Sequence, residues 1–158
     1  ENQGFGIAVS TGRNRNIEKH ELLGTEAVCL LPVSHRLAAN EVISPEDLVG
    51  ENFISYFEGS IFKNDIDKAF NTAKVRRLTR YEGKTTGAII GMVGAGLGVS
   101  IIDSGFGAGS FDPRCITIPF KPAIPYTAEL LWSTQRDLSA IQNEFLNMVR
   151  EEYGDLDI

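Results

Sequence analysis

Small polar clusters follow several apolar runs of this sequence, and they contain the side chains best suited to binding a small molecule. The clusters are Ser10 and Thr11; Tyr56, Phe57 and Ser60; Glu82, Thr85 and Thr86; and Asp103 and Ser104. Two of these clusters open predicted helices, whose free N–H groups and hydroxyl side chains bind carboxylates. The carboxylates of Glu82 and Asp103 would bind an ammonium or guanidinium group. Each residue taken singly is equally well explained as a helix cap or a solvated acid.

The sequence contains no recognisable catalytic or metal-binding motif. The glycines at 94, 96 and 98 form GAGLG, but Val99 stands where a dinucleotide fingerprint needs its third glycine, and the segment precedes a strand. We interpret it as a helix end followed by a tight turn. His20 and His35 lie apart from any other metal ligand at the usual spacing, and no GxSxG nucleophile motif is present. We therefore expect no catalytic residue, no metal and no cofactor.

Composition and charge limit what the chain does alone. Of 158 residues, 42% are hydrophobic and 23% charged, and no apolar run reaches the roughly 18 residues of a membrane span. Fifteen Lys and Arg against 21 Asp and Glu give a net charge of -6, whereas DNA binding normally requires a basic face. We expect a globular chain that binds neither membranes nor, by itself, DNA. Cys29 and Cys115 lie in apolar runs, as is typical of reduced core cysteines in a reducing compartment.

Short branched apolar runs that alternate with helical patterns predict an α/β fold with largely parallel strands. Strands are predicted at residues 5–9, 27–31, 53–57, 75–81, 97–102, 116–120 and 127–132. Helices are predicted after Ser44, after Ser60 and from Thr85 or Thr86. A last helix is predicted over about 137–153, with five apolar residues facing a core: Leu138, Ile141, Phe145, Leu146 and Val149. The carboxyl ends of parallel strands meet at one edge of a sheet, so this arrangement brings the polar clusters together.

A group of basic residues flanks the predicted strand 75–81. Its members are Lys74, Arg76, Arg77, Arg80 and Lys84. Charged side chains protect sheet edges from pairing, so a solvated edge is the simplest interpretation. Contact with a partner or another subunit is the alternative that the sequence leaves open.

The order and spacing of several segments resemble the effector-binding domain of LysR-type transcriptional regulators. These segments are LPVSHRLA at 31–38, ISPEDLVG at 43–50, FI at 53–54 and, most specifically, MVGAGLGVSII at 92–102. Together they cover about residues 4 to 153. Asp103 stands where the family commonly has proline, which places a carboxylate in a predicted ligand-facing loop. The chain reads as beginning within the fold, so the family's winged helix-turn-helix and the first strands and helices of its effector domain would precede Gly4.

The resemblance implies two Rossmann-like α/β lobes of the type 2 periplasmic-binding-protein kind, the first of them incomplete. Residues 32–126 would form subdomain II, and residues 1–31 and 127–158 the remnant of subdomain I. It also implies a cytoplasmic bacterial regulator, not an enzyme, in which an effector between the lobes changes how a homodimer or homotetramer contacts DNA. The mixture of helix N-termini and acids suggests an amino acid or an opine as effector.

Two other functional classes remain open from the residues alone. A periplasmic-type solute-binding protein would share the architecture but would carry an export signal. An α/β enzyme would need a cofactor loop or an activated nucleophile, and the sequence offers neither.

Overall fold

The computed structural model describes residues 4–9, 15–107, 112–135 and 137–153. Its elements are β1 (Gly6–Ala8), β2 (Ile17–Pro32), β3 (Asn52–Tyr56), α1 (Ile61–Thr72), β4 (Leu78–Gly83), α2 (Thr86–Gly94), β5 (Ser100–Asp103), β6 (Cys115–Pro119), β7 (Pro125–Ser133) and α3 (Ala140–Tyr153). Short 3-10 turns cover Pro45–Leu48 and Ser104–Gly107. The predicted α/β class is confirmed, but the expectation of largely parallel strands was wrong: β1–β7, β2–β5 and β2–β6 pair antiparallel, and β3–β4 pair in parallel. None of the helices in the described part of the chain is long and apolar enough to cross a membrane.

The chain divides into two units. The smaller unit consists of Glu1–Gly24 and Thr127–Ile158, and the larger unit of Thr25–Tyr126. Both divisions fall within strands, because β2 and β7 each contribute residues to both units. Each unit has its own hydrophobic cluster.

Parallel strands of the larger unit end at one edge. β3 pairs in parallel with β4, from Asn52 opposite Leu78 to Tyr56 opposite Gly83. On the other side of β3, a parallel bridge joins Phe53 to Val99, directly before β5. The three segments therefore run in the same direction, and the polar residues that follow them lie at the same edge of the sheet.

β2 completes the sheet of the larger unit between β5 and β6. Its C-terminal half pairs antiparallel with β5, where Ala27 lies opposite Asp103, and with β6, where Val28 lies opposite Pro119. Side chains on both faces of these strands are buried in one core with side chains of β3 and α1. The fully buried members include Leu30, Leu31, Ile54, Ile66, Ile101 and Ile102. This apolar core holds the sheet edge in place.

β2 begins at Ile17, ten residues before the predicted start at Ala27. The predicted start was wrong because an apolar run marks a buried strand, whereas the segment from Ile17 to Glu26 is mostly polar and partly exposed. Backbone hydrogen bonds to neighbouring strands stabilise a polar strand that has no apolar pattern of its own.

The glycine-rich segment after α2 is a helix end and a turn, as predicted. Gly96 has a φ of +77°, a conformation that glycine adopts without strain, and the Leu97 N–H donates to the Met92 carbonyl at 3.1 Å. At Gly98 a Cβ would overlap the carbonyl oxygen of Asn52 on β3. The turn uses these residues, so β5 begins at Ser100 and not at the predicted Leu97.

Arg77 is an exception to the predicted solvated basic edge. Its guanidinium lies over the rings of Phe53 (4.9 Å) and Phe70 (4.7 Å) and forms an ion pair with Asp67 of α1. The side chain is 13% exposed, and burial lowers its pKa. Arg77 therefore belongs to the packing between α1 and β3, while the neighbouring Arg76 is exposed as predicted.

The smaller unit has a modest core. β1 pairs antiparallel with β7, and Leu130, Leu146 and Val149 are buried. The final helix is confirmed, but Ile141 is 82% exposed, so its predicted core position was wrong. Leu138, also predicted to face the core, precedes the helix and packs against the core as expected, whereas the predicted Phe145 is 37% exposed. The strand at 5–9 was expected to be buried, yet the side chain of Ile7 in β1 is 67% exposed; within the described residues, β1 pairs with β7.

Candidate functional site

Three of the four predicted polar clusters lie at the carboxyl edge of the larger unit's sheet. Tyr56 ends β3, Thr85 and Thr86 follow β4, and Asp103 ends β5. The fourth cluster, Ser10 and Thr11, lies outside the described residues. The edge therefore collects hydroxyl groups and a carboxylate that are far apart in sequence.

Tyr56 and Thr86 are joined directly at this edge. The Tyr56 hydroxyl lies 2.9 Å from Thr86 Oγ1, and both residues are buried. The sequence left open which threonine caps α2. The structure assigns the cap to Thr85, whose Oγ1 accepts from the Ala88 N–H at 3.2 Å. Thr86 is thus the first helical residue, and its hydroxyl bonds Tyr56 while the first amides of α2 have no acceptor within the helix.

A row of aromatic rings lies behind these hydroxyls. Phe62 of α1 contacts Tyr56 edge-on at 5.5 Å and Tyr126 at 5.0 Å between ring centroids. Tyr126 is partly exposed, and the residues selected from the sequence did not include it. It follows Pro122 and Pro125, and prolines in this spacing indicate a connecting segment. The signal that would have found it is a tyrosine at the start of β7.

Asp103 is a buried carboxylate, 4% exposed, at the end of β5. Backbone pairing places it near Tyr126: Asp103 lies opposite Ala27, whose N–H donates to the Ile124 carbonyl at 2.9 Å. Thr25 Oγ1 then donates to the Tyr126 carbonyl at 3.1 Å. The strand β2 therefore brings Asp103 and Tyr126 together from segments that are separate in sequence.

The electrostatics of the two tyrosines show the influence of Asp103. Burial raises the pKa of the Tyr56 phenol, the hydrogen bond to Thr86 opposes this, and the charge of Asp103 adds to the increase. Burial and then Asp103 raise the pKa of Tyr126 in the same way. Both phenols are therefore neutral at physiological pH, and each keeps an O–H donor and an acceptor oxygen.

The remaining predicted residues lie near the strand ends and take no part in the Tyr56–Thr86 hydrogen bond. Glu82 is exposed, and Phe57 is 40% exposed with its N–H donating to the Gly83 carbonyl at 3.2 Å. Ser60 occupies the N-cap position of α1, although its side chain makes no capping hydrogen bond. Ser104 opens the 3-10 turn and is partly exposed.

Two surface grooves lie elsewhere and lack this convergence of buried polar groups. One, of about 420 Å³, lies between α1 and the apolar residues 122–125. Its lining is Asp65, Lys68, Ala69, Thr72, Pro122, Ala123, Ile124 and Pro125. The other, of about 380 Å³, lies in the smaller unit beside Trp132. Neither groove is lined by a residue that the sequence predicts to bind the effector. A ligand site needs well-placed polar groups as well as space.

The described residues contain neither a group of metal ligands nor a thiol activated for nucleophilic attack. They contain no group of three or more His, Cys, Asp and Glu side chains placed to hold a metal ion. Cys29 is buried, and burial raises the pKa of its thiol, which makes the nucleophilic thiolate scarce.

The sequence matches known regulators. The family model described as the LysR substrate binding domain matches residues 4–154. The transcriptional activator protein LysR of Escherichia coli (strain K12) is 30% identical over 141 residues, which is 89% of this chain and 45% of that protein. The regulatory protein NocR of Agrobacterium tumefaciens (strain T37) is 28% identical over 142 residues, 89% of this chain and 47% of that protein. The chain thus spans about half the length of these relatives.

The fold matches a solved regulatory domain. The regulatory domain of CcmR from Synechocystis PCC6803, solved in complex with 2-PG, superposes with a TM-score of 0.83 at 18% identity, covering 96% of this chain and 74% of that one. At this identity the likeness concerns the fold alone. The predicted type 2 periplasmic-binding-protein architecture is confirmed by this likeness.

Proposed function

The chain belongs to the LysR substrate-binding domain family, and from this membership we propose that it is the ligand-sensing part of a bacterial transcriptional regulator. A small-molecule effector binds at the edge formed by Tyr56, Thr86 and Asp103, and its binding changes how the regulator contacts DNA. The observation that carries the proposal is that three separate strand ends deliver these side chains to one edge of one sheet. A carboxylate is costly to bury unless it has partners, and here it lies beside two phenols at the proposed ligand site.

The effector that suits this edge carries a carboxylate. The first amides of α2 and the Thr86 hydroxyl are donors at the positive end of a helix dipole, which favours a negative group. An amino acid or an opine has such a carboxylate, and we take these two classes as the proposed effectors. The role is regulatory and not catalytic, in keeping with relatives that are regulators by name.

The division of labour within the whole regulator is also part of the proposal. Residues 32–126 correspond to subdomain II, and residues 1–31 with 127–158 to part of subdomain I. DNA is contacted by a domain outside these 158 residues, in a cytoplasmic homodimer or homotetramer. The net charge of -6 supports this, because an acidic chain has little electrostatic attraction for phosphates.

A calorimetric titration tests the proposal. The purified chain is titrated with amino acids, opines and aromatic acids, and each binder is titrated again into the Thr86→Val variant. We expect at least one compound to bind saturably and to lose affinity with the variant. Turnover of a bound compound, or no binding by any of the three classes, would contradict the proposed function.

A further inference from the structure

We infer that Asp103, together with the hydroxyl oxygens of Tyr56 and Tyr126, binds a cationic group of the effector. The effector then carries an ammonium or guanidinium group as well as a carboxylate. This inference rests on the proposed function, because it concerns the same edge of the sheet. It assigns to one acid a role that the sequence left open between Glu82 and Asp103.

Burial distinguishes the two acids. Glu82 is exposed, so water and salt screen its charge and it discriminates poorly between ligands. Asp103 is 4% exposed, and a charged group gains far more from a partner of opposite sign when both are withdrawn from water. Asp103 already takes part in an interaction within the chain. A carboxylate accepts about four hydrogen bonds, so one interaction within the chain does not use up its acceptor capacity.

The surroundings of Asp103 suit a cation in two further ways. The phenols of Tyr56 and Tyr126 stay neutral and offer acceptor oxygens to an N–H donor. The ring of Tyr126 is partly exposed, and an aromatic face attracts an ammonium or guanidinium group. A carboxylate effector group would instead meet the negative charge of Asp103 and would be directed to the N-terminus of α2.

The two subsites, at Thr86 for a carboxylate and at Asp103 for a cation, share Tyr56 as a neighbour. Thr86 and Asp103 are both near Tyr56: Thr86 through its hydrogen bond, and Asp103 through its effect on the phenol. A single small molecule can therefore place a carboxylate at Thr86 and an ammonium group at Asp103. An α-amino acid carries an ammonium group and a carboxylate on the same carbon, and a basic side chain adds a second cationic group.

Matched ligands test the inference. L-lysine, L-arginine and L-alanine are titrated calorimetrically against hexanoate and propionate, which keep a carboxylate but lack the ammonium group. We expect an amino acid to bind at least about tenfold more tightly than the matched acid, which is the range for a hydrogen bond to a charged group. Asp103→Asn should remove that preference. Glu41→Gln, which neutralises an exposed acid of the same chain, should leave it unchanged.

A second readout does not depend on the ligand. Ultraviolet titration of the phenols in Asp103→Asn should show a lower pKa for Tyr126 than in the unmodified protein, because the negative charge beside it is gone. If Asp103→Asn does not fold by circular dichroism, Tyr126→Phe replaces it in the ligand titrations. We expect this variant to bind the amino acid more weakly while binding the matched acid unchanged.

The outcomes separate this inference from the proposed function. Equal binding of the amino acid and its matched acid, unchanged by Asp103→Asn, would overturn the inference and leave the effector site in place. Binding only by compounds that lack a cationic group would do the same. Failure of every compound in the wider screen would overturn the inference and the proposed function together.

Discussion

The hydroxyl of Tyr56 lies 2.9 Å from Thr86 Oγ1, a hydrogen bond that joins the end of β3 to the start of α2 across 30 residues of sequence. Both side chains are buried, so neither hydroxyl has water as an easy substitute partner. The bond fixes the position of the Thr86 hydroxyl relative to the N-terminus of α2. The proposed effector site depends on this fixed position, because preorganised donors bind a ligand without paying to be ordered.

Replacement of Tyr56 by Phe should change the stability at high pH. Burial raises the folded-state pKa of Tyr56 above its ordinary value of 10.0, so the unfolded chain loses the phenol proton first. The contribution of the protonated Tyr56 phenol to the free energy of unfolding is therefore fully present below about pH 10. It is lost as the pH rises further, by up to about 1.4 kcal/mol per pH unit for one group. Urea unfolding between about pH 9 and 11 should show a steeper loss for the unmodified protein than for Tyr56→Phe. The same pH dependence of stability in both proteins would contradict a raised pKa for Tyr56.

Replacement of Thr86 by Val should weaken effector binding and also lower stability, because it leaves the buried Tyr56 hydroxyl without its partner. Loss of a hydrogen bond to a charged carboxylate costs about 1.5–3 kcal/mol of binding free energy. Thr85→Val is the comparison variant: it removes the cap of α2, should cost about 1 kcal/mol of stability, and should weaken effector binding less than Thr86→Val does. Calorimetry and thermal melts of both variants measure the two effects. Unchanged affinity in Thr86→Val would show that Thr86 serves only to hold α2.

The sequence predicted much of this edge because its signals are local. Tyr56 and Asp103 end apolar runs that fold as strands, Thr86 follows β4 by three residues, and parallel strands end together. The sequence could not identify Tyr126 in the same way. Its position depends on hydrogen bonds from Ala27 and Thr25, which are about a hundred residues away.

Arg77 shows a second limit of reasoning from sequence. A basic residue among other basic residues indicates a solvated surface, and this holds for Arg76. The burial of Arg77 follows from long-range packing against Phe53 and Phe70 and from its ion pair with Asp67. No local pattern distinguishes the two arginines.

Replacement of Arg77 by Met should destabilise the larger unit. The variant loses two contacts with aromatic rings and the partner of Asp67, for which we expect a cost of about 2 kcal/mol. The neighbouring variant Arg76→Met should change stability by no more than about 0.5 kcal/mol, since that side chain is exposed. Chemical denaturation of both variants makes the comparison. Equal stability of the two would show that the packing of Arg77 contributes nothing.

Replacement of two glycines near α2 by Ala should have opposite effects. In Gly98→Ala the new Cβ overlaps the carbonyl oxygen of Asn52, so we expect a loss of about 1–3 kcal/mol of stability. In Gly91→Ala the Cβ meets no atom within 4 Å, and alanine favours the helix, so a gain of about 0.5–1 kcal/mol is expected. Thermal melts compare the two. A stabilised Gly98→Ala would be incompatible with the close approach of α2's turn to β3.

The location of the effector is tested most directly by a 1H–15N NMR titration with the tightest compound from the calorimetric screen. If the compound binds at the proposed edge, the largest shift changes will be those of the backbone amides of Tyr56, Thr86 and Asp103. The amides of Ala69 and Ile124, in the apolar groove beside α1, will then stay nearly unchanged. The largest changes at Ala69 and Ile124, with the edge amides unmoved, would contradict the assignment of the effector site.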